Sequence, residues 1–205
     1  MLIKVCGITN KEDAMNAVSL GVNAIGFIFY PNSPRYVTPN VVEEIAMFLP
    51  PFVITVGVFV NQDKAEIANI VQQCKLNLVQ LHGDESPRDC LESPVRVIKA
   101  FRVASPEDID PISPYQGAVS GMLLDAKEDL LDGGTGKTFD WGLALKAKEY
   151  HIPLILSGGI SLKNVQKAIK LVSPYGIDIC SGLEKEPGLK DYNKMQEFMT
   201  IIRQL

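Results

Sequence analysis

The chain has 205 residues, 46% of them hydrophobic and 21% charged, a composition that fits one globular domain over residues 1–205 with a substantial core. A net charge of -4 offers no basic field to phosphate backbones or anionic lipids, and no local Lys/Arg cluster supplies one. The apolar run after Met1 is too short for a signal-peptide core, and no segment approaches the ~20 apolar residues of a bilayer span, so a cytoplasmic protein is expected, with neither nucleic acid nor membrane as partner.

Short β-branched runs alternate with amphipathic helical stretches from end to end. The chain opens on LIKVC (2–6), a strand that stops at a thiol before Gly7, and a helix near 11–20 follows with Thr9 or Asn10 as its cap. AIGFIF (24–29) precedes a helix near 39–48, with Thr38 ahead of Pro39 at its start. FVITVGVFV (52–60) and LVQLH (78–82) are strands followed by helices near 63–74 and 85–92. After RVIKAF (96–101) comes VASPEDIDPISPYQG, whose three prolines allow one short helical turn at best. GMLLD (121–125) leads into the longest irregular piece, 126–140, before a helix near 140–149. PLILS (153–157) and GIDIC (176–180) close the series, with helices near 161–171 from Ser161 and near 191–203 from Asp191.

Eight strands, each followed by a helix or the remnant of one, predict an α/β fold, a (β/α)₈ TIM barrel whose helix after the fifth strand is reduced. A doubly wound sheet would call for fewer strands and a glycine-rich first turn, where this chain has CGITN. Cys6, Cys74, Cys90 and Cys180 are widely spaced and form no C-x-x-C pair, so neither a zinc site nor a disulfide framework is indicated.

Active sites of such barrels lie at the C-terminal ends of the strands, which selects Cys6, Arg35, His82, Asp125, Ser157-Gly158-Gly159 and the stretch from Asp178 to Gly182. The glycine-bearing ends SGGI (157–160) and CSGLE (180–184) expose backbone N–H groups after strands seven and eight, where barrels commonly hold a phosphate. GGTGKTFD (133–140) imitates a nucleotide-binding loop but has Leu131 where that motif needs glycine, and is read instead as a loop or lid over the pocket. Asp125 ends an apolar run at the rim, where partial desolvation would raise its pKa and suit it to donate a proton. Cys6 stands across the ring, where a thiol tuned from about 8.5 toward neutral pH could act as a base. Arg35, in PNSPRYV, could pair bidentately with a carboxylate. Acid and base on opposite sides of a phosphate pocket point to an isomerase or lyase of phosphosugars.

Together KVCGITN, GFIFYPNSPRYV, VGVFVN, VQLHGDE, LLDAK with GGTGKTFDW, LSGGI and DICSGLE resemble the phosphoribosylanthranilate isomerase family of tryptophan biosynthesis, in order and over essentially the whole chain. The resemblance implies an Amadori rearrangement of N-(5-phosphoribosyl)anthranilate to 1-(2-carboxyphenylamino)-1-deoxyribulose 5-phosphate without cofactor or metal, by a monomer or homodimer. It assigns Asp125 as general acid, Cys6 as general base, Arg35 to the anthranilate carboxylate, His82 and Asp178 to the pocket, and Gly158, Gly159, Ser181 and Gly182 to the phosphate. One departure stands out: the family commonly has two serines before the last of these glycines, and the first is Cys180 here. Rival readings are an indole-glycerol-phosphate synthase, in which Lys99 could occupy the place of a catalytic lysine although a structural role is expected for it here, a histidine-pathway isomerase, which would favour an Asp where Cys6 stands, and a non-catalytic phosphate-metabolite binder.

Overall fold

The structure, a computed structural model, describes residues 1–126 and 140–205. The GGTGKTFD stretch thus lies, up to residue 139, outside the described residues. Eight parallel strands, β1 (Leu2–Val5), β2 (Ala24–Ile28), β3 (Ile54–Phe59), β4 (Leu78–Leu81), β5 (Arg96–Val103), β6 (Gly121–Ala126), β7 (Leu154–Leu156) and β8 (Gly176–Ile179), close into a barrel in chain order. Closure comes from β1 against β8, in the register Leu2↔Gly176 to Val5↔Ile179.

Helices α1 (Lys11–Ser19), α2 (Pro39–Ala46), α3 (Lys64–Cys74), α4 (Pro87–Leu91), α5 (Trp141–Ala147), α6 (Val165–Val172) and α7 (Tyr192–Arg203) cover the outside. Asn10 caps α1 by accepting from Asp13 N at 2.8 Å, and Asp191 caps α7 through the N–H groups of Asn193 and Lys194. The proline-rich stretch after β5 forms two 3₁₀ helices, Pro106–Asp108 and Asp110–Tyr115. Proline tolerates these short turns, but Pro111 and Pro114 supply no N–H to an α-helical ladder. Helix α6 starts four residues later than its sequence suggests, because Asn164 Oδ1 accepts from Ser161 N at 2.9 Å and holds 161–164 in a turn.

Alternation along each strand sorts the side chains. Ile3, Val5, Ile25, Phe27, Val97, Leu124, Leu156 and Ile177 face the helices and join the main hydrophobic core. Ile98, Ala100 and Leu123 form a separate small cluster inside the barrel. Their neighbours in the layers above are polar, and that change makes the upper end a site rather than more core. Two short strands not foreseen from the sequence, β9 (Glu184–Glu186) and β10 (Leu189–Lys190), pair antiparallel after β8. No helix among the described residues is long and apolar enough to cross a membrane.

Candidate active site

Cys6 follows β1 and points inward with Lys4, two residues before it on the same face. The thiol is buried, 5% exposed, and its N–H donates to Ile179 O at 2.9 Å, so backbone pairing with β8 fixes its height. Gly26 on β2 makes room for it: a Cβ there would sit 2.7 Å from Cys6 Sγ and 3.1 Å from Lys4 Nζ. Lys4 Nζ pairs with Asp178 Oδ1 at 3.0 Å, both side chains 6% exposed, forming a charged layer with the thiol. Gly7 adopts φ +71°, and a side chain there would press on Arg35 Cδ at 2.8 Å and Cys180 Sγ at 2.9 Å. Glycine therefore lets the chain turn from β1 while the neighbours close in. Burial pushes the Cys6 thiol up, against the lowering pull of Lys4 and Lys190. The shift thus runs opposite to the expected tuning toward neutral, because desolvation outweighs the nearby cations.

Asp125 stands on β6, its side chain 30% exposed and directed toward His82, whose Nε2 lies 3.3 Å from Asp125 Oδ2. Gln80, two residues earlier on β4, places its Nε2 amide 3.0 Å from His82 Nδ1. The imidazole is thus held between the Gln80 amide at Nδ1 and the Asp125 carboxylate at Nε2. The other carboxylate oxygen accepts from Ala126 N at 2.9 Å. Gly158 fits against this group at φ +72°; a Cβ would collide with Ala126 N and lie 2.9 Å from Asp125 Oδ1. The first glycine of the β7 loop is therefore also the wall behind Asp125.

Gly158 and Gly159 both occupy the left-handed region, at φ +72° and +67°, which turns the loop after β7 sharply. The N–H groups of Gly159 and Ile160 donate to nothing among the described residues. Beside this loop, a 3₁₀ turn begins at Ser181 and runs to Leu183. A Cβ on Gly182 would collide with Ile160 O, so the two loops interlock through that glycine. The helix start expected at Ser161 is displaced to Val165, and the turn at Ser181 is the one that opens beside the loop.

Arg35 reaches the rim from the β2–α2 connection and is held by Glu184, Nε to Oε1 at 2.9 Å and Nη2 to Oε2 at 2.7 Å. Cys180, the departure from the family pattern, turns its Sγ toward Glu184 and Lys190, and burial pushes its thiol up to about 12. Lys99 stays outside the cavity: its Nζ pairs with Glu85 at 3.2 Å and donates to Gly83 O at 2.7 Å. That anchorage removes the lysine a synthase would require. Cys74 and Cys90 are buried, and burial moves each thiol up to about 11.

Cys6, Arg35, His82, Asp125, Asp178 and the loop residues Gly158, Gly159 and Ser181 all line one cavity of about 440 Å³ at the C-terminal mouth. Gly182 supports the wall from behind. Lys4, Gln80, Glu184 and Lys190 escaped the sequence reading. A charged or amide side chain two residues before a strand-end candidate was the available sign for the first two, since alternation places it one layer below. Asp125 and Cys6, the expected acid and base, thus line one cavity together with the two glycine loops.

The family model described as N-(5'phosphoribosyl)anthranilate (PRA) isomerase matches residues 3–200. An N-(5'-phosphoribosyl)anthranilate isomerase of Trichlorobacter lovleyi is 46% identical over 197 residues, covering 96% of this chain and 95% of that protein. The crystal structure of phosphoribosyl anthranilate isomerase from Thermotoga maritima superposes with a TM-score of 0.93 at 41% identity, over 100% of both chains. Another isomerase structure, in complex with reduced 1-(o-carboxyphenylamino)-1-deoxyribulose 5-phosphate, is 38% identical with a TM-score of 0.90 over 100% of both chains.

Proposed function

The chain belongs to the N-(5'-phosphoribosyl)anthranilate isomerase family of tryptophan biosynthesis, and from that premise we propose how its own residues carry the isomerisation. The substrate's phosphate binds to the backbone of Gly158, Gly159, Ser181 and Gly182, and Arg35 takes the anthranilate carboxylate. Asp125, oriented by His82, protonates the furanose ring oxygen. The C1–O bond then breaks as the anthranilate nitrogen shares its electron pair, which leaves a protonated Schiff base.

Cys6, as thiolate, takes the proton from C2. The C2–H electrons form the C1=C2 bond of an enolamine, and tautomerisation of that enolamine gives the ketone product. Burial opposes the thiolate, but Lys4 favours it, and the iminium charge created in the first step adds a second cation beside it. Asp178 keeps Lys4 in register beneath the thiol. The steps are proton transfers and one C–O cleavage driven by the substrate's own nitrogen, so the scheme calls for no cofactor or metal. The protein is read as one cytoplasmic barrel domain acting as a monomer or homodimer.

The observation that carries this reading is the placement of Cys6 and Asp125 in one cavity with both glycine loops. The test is the loss of anthranilate fluorescence as purified protein consumes phosphoribosylanthranilate. Asp125→Asn and Cys6→Ser should each lose on the order of 10²–10⁴ in kcat while product-analogue affinity survives. Near-normal turnover in either variant removes that residue from the scheme.

A further inference from the structure

Arg35 is placed to receive a carboxylate, yet the protein already gives it one. Glu184 accepts from both Nε and Nη2, and the Glu184 side chain is only 5% exposed. A single buried carboxylate held so tightly would cancel the guanidinium charge at the place where a substrate carboxylate has to bind. Glu184, however, is shared.

Lys190 Nζ donates to the same Oε1 at 2.8 Å, and its side chain is 0% exposed. Strands β9 and β10 exist in a form that makes this contact, with Lys190 opposite Glu184 in their register. The hairpin is tied to α1 by Lys190 N, which donates to Asp13 Oδ2 at 2.8 Å. Burial alone would raise the Glu184 carboxyl, but its bonds to Arg35 and Lys190 hold it below the usual range, so the anion persists at neutral pH. Two cations and one anion leave the Arg35–Glu184–Lys190 triad with a net charge of +1. Arg35 Nη1 donates to nothing among the described residues and remains available to a ligand.

We infer that Lys190 cancels the charge of Glu184, so that Arg35, which Glu184 holds in position, keeps one uncompensated positive charge for the substrate's carboxylate. Lys190 and Glu184 are positioning residues that act through Arg35. This deepens the reading of Arg35 as the carboxylate clamp and rests on it. A buried lysine that served only as a packing peg would not change how the site ranks ligands with and without that carboxylate.

The readout is a selectivity ratio: the affinity for reduced 1-(o-carboxyphenylamino)-1-deoxyribulose 5-phosphate divided by that for its N-phenyl counterpart lacking the carboxyl. Lys190→Met should lower the ratio by about tenfold, the low end for a charge-assisted hydrogen bond. Adding Glu184→Gln to that variant removes the competing anion as well, and the ratio should return to within about threefold of the parent's. An unchanged ratio in Lys190→Met, or a double variant as poor as the single one, overturns the inference. Should Lys190→Met not fold, Glu184→Gln alone decides: a ratio at or above the parent's supports charge cancellation, and a tenfold fall makes Glu184 a plain strut. Arg35→Met separates the premise. If it keeps the parent's ratio, the clamp itself is wrong; if it loses the ratio while Lys190→Met keeps it, only the charge cancellation is.

Discussion

Gly26→Ala probes the proposed base, Cys6, from the neighbouring strand without replacing any group that meets substrate. The new Cβ would lie 2.7 Å from Cys6 Sγ, 3.0 Å from Lys4 Cε and 3.1 Å from Lys4 Nζ. Ordinary carbon contacts fall at about 3.5–4.0 Å, so the thiol has to move by about 1 Å. Displacement of a reacting group by that amount costs on the order of 10²-fold in rate, and the overpacking itself costs about 1–3 kcal/mol of stability. Gly57→Ala is the control. Its Cβ meets Phe59 Cε2 at 2.7 Å and Leu76 Cδ1 at 2.5 Å on the helix-facing side of β3, away from the cavity. Thermal unfolding should show a loss in both variants, while the fluorescence assay should show a large fall in kcat for Gly26→Ala alone. A folded Gly26→Ala protein with kcat within a few-fold of the parent would refute the claim that Cys6 must sit where Gly26 allows.

The direction of the Cys6 shift fixes a pH dependence. Because burial raises the thiol, the rate of Cys6 alkylation by iodoacetamide, which follows the thiolate alone, should climb with pH and keep climbing above about pH 8.5; a rate already level at pH 7 contradicts this. Gly158→Ala should strike both the proposed acid and the proposed phosphate contact, since its Cβ meets Asp125 Oδ1 at 2.9 Å; kcat should fall and KM rise together, and an effect on KM alone would clear Asp125 of the contact. Lys99→Met breaks a buried pair with Glu85 and should cost about 3–5 kcal/mol in denaturant unfolding, with turnover per folded molecule unchanged; a specific loss of kcat would reopen the catalytic-lysine reading.

The eight strands were legible because each is a short apolar run bounded by turn residues, and a parallel barrel leaves few alternatives once the count is known. Strand ends then selected the cavity residues, since topology alone carries Cys6, His82, Asp125 and Asp178 to one mouth. The partners beneath them were hidden. Lys4 meets Asp178 through the register of β1 against β8, which no local pattern encodes. The Glu184–Lys190 hairpin has strands of three and two residues, too short for periodicity to register. Ser161 looked like a helix cap by residue type, yet Asn164 turns back on its N–H and delays the helix. The thiol was read as a base from its position; its burial, which works against that task, emerged only from the packing of Gly26 and Lys4 around it.

The most direct measurement is a crystal structure of this protein with reduced 1-(o-carboxyphenylamino)-1-deoxyribulose 5-phosphate. The account predicts Cys6 Sγ near C2 at about the 3–3.5 Å of a near-attack arrangement, and Asp125 across the ligand beside the oxygen that closed the furanose ring. The phosphate should rest on the Gly158–Gly159 and Ser181–Gly182 backbone. A ligand whose C2 faces away from Cys6, with the thiol packed against the aromatic ring instead, would contradict the assignment of the base.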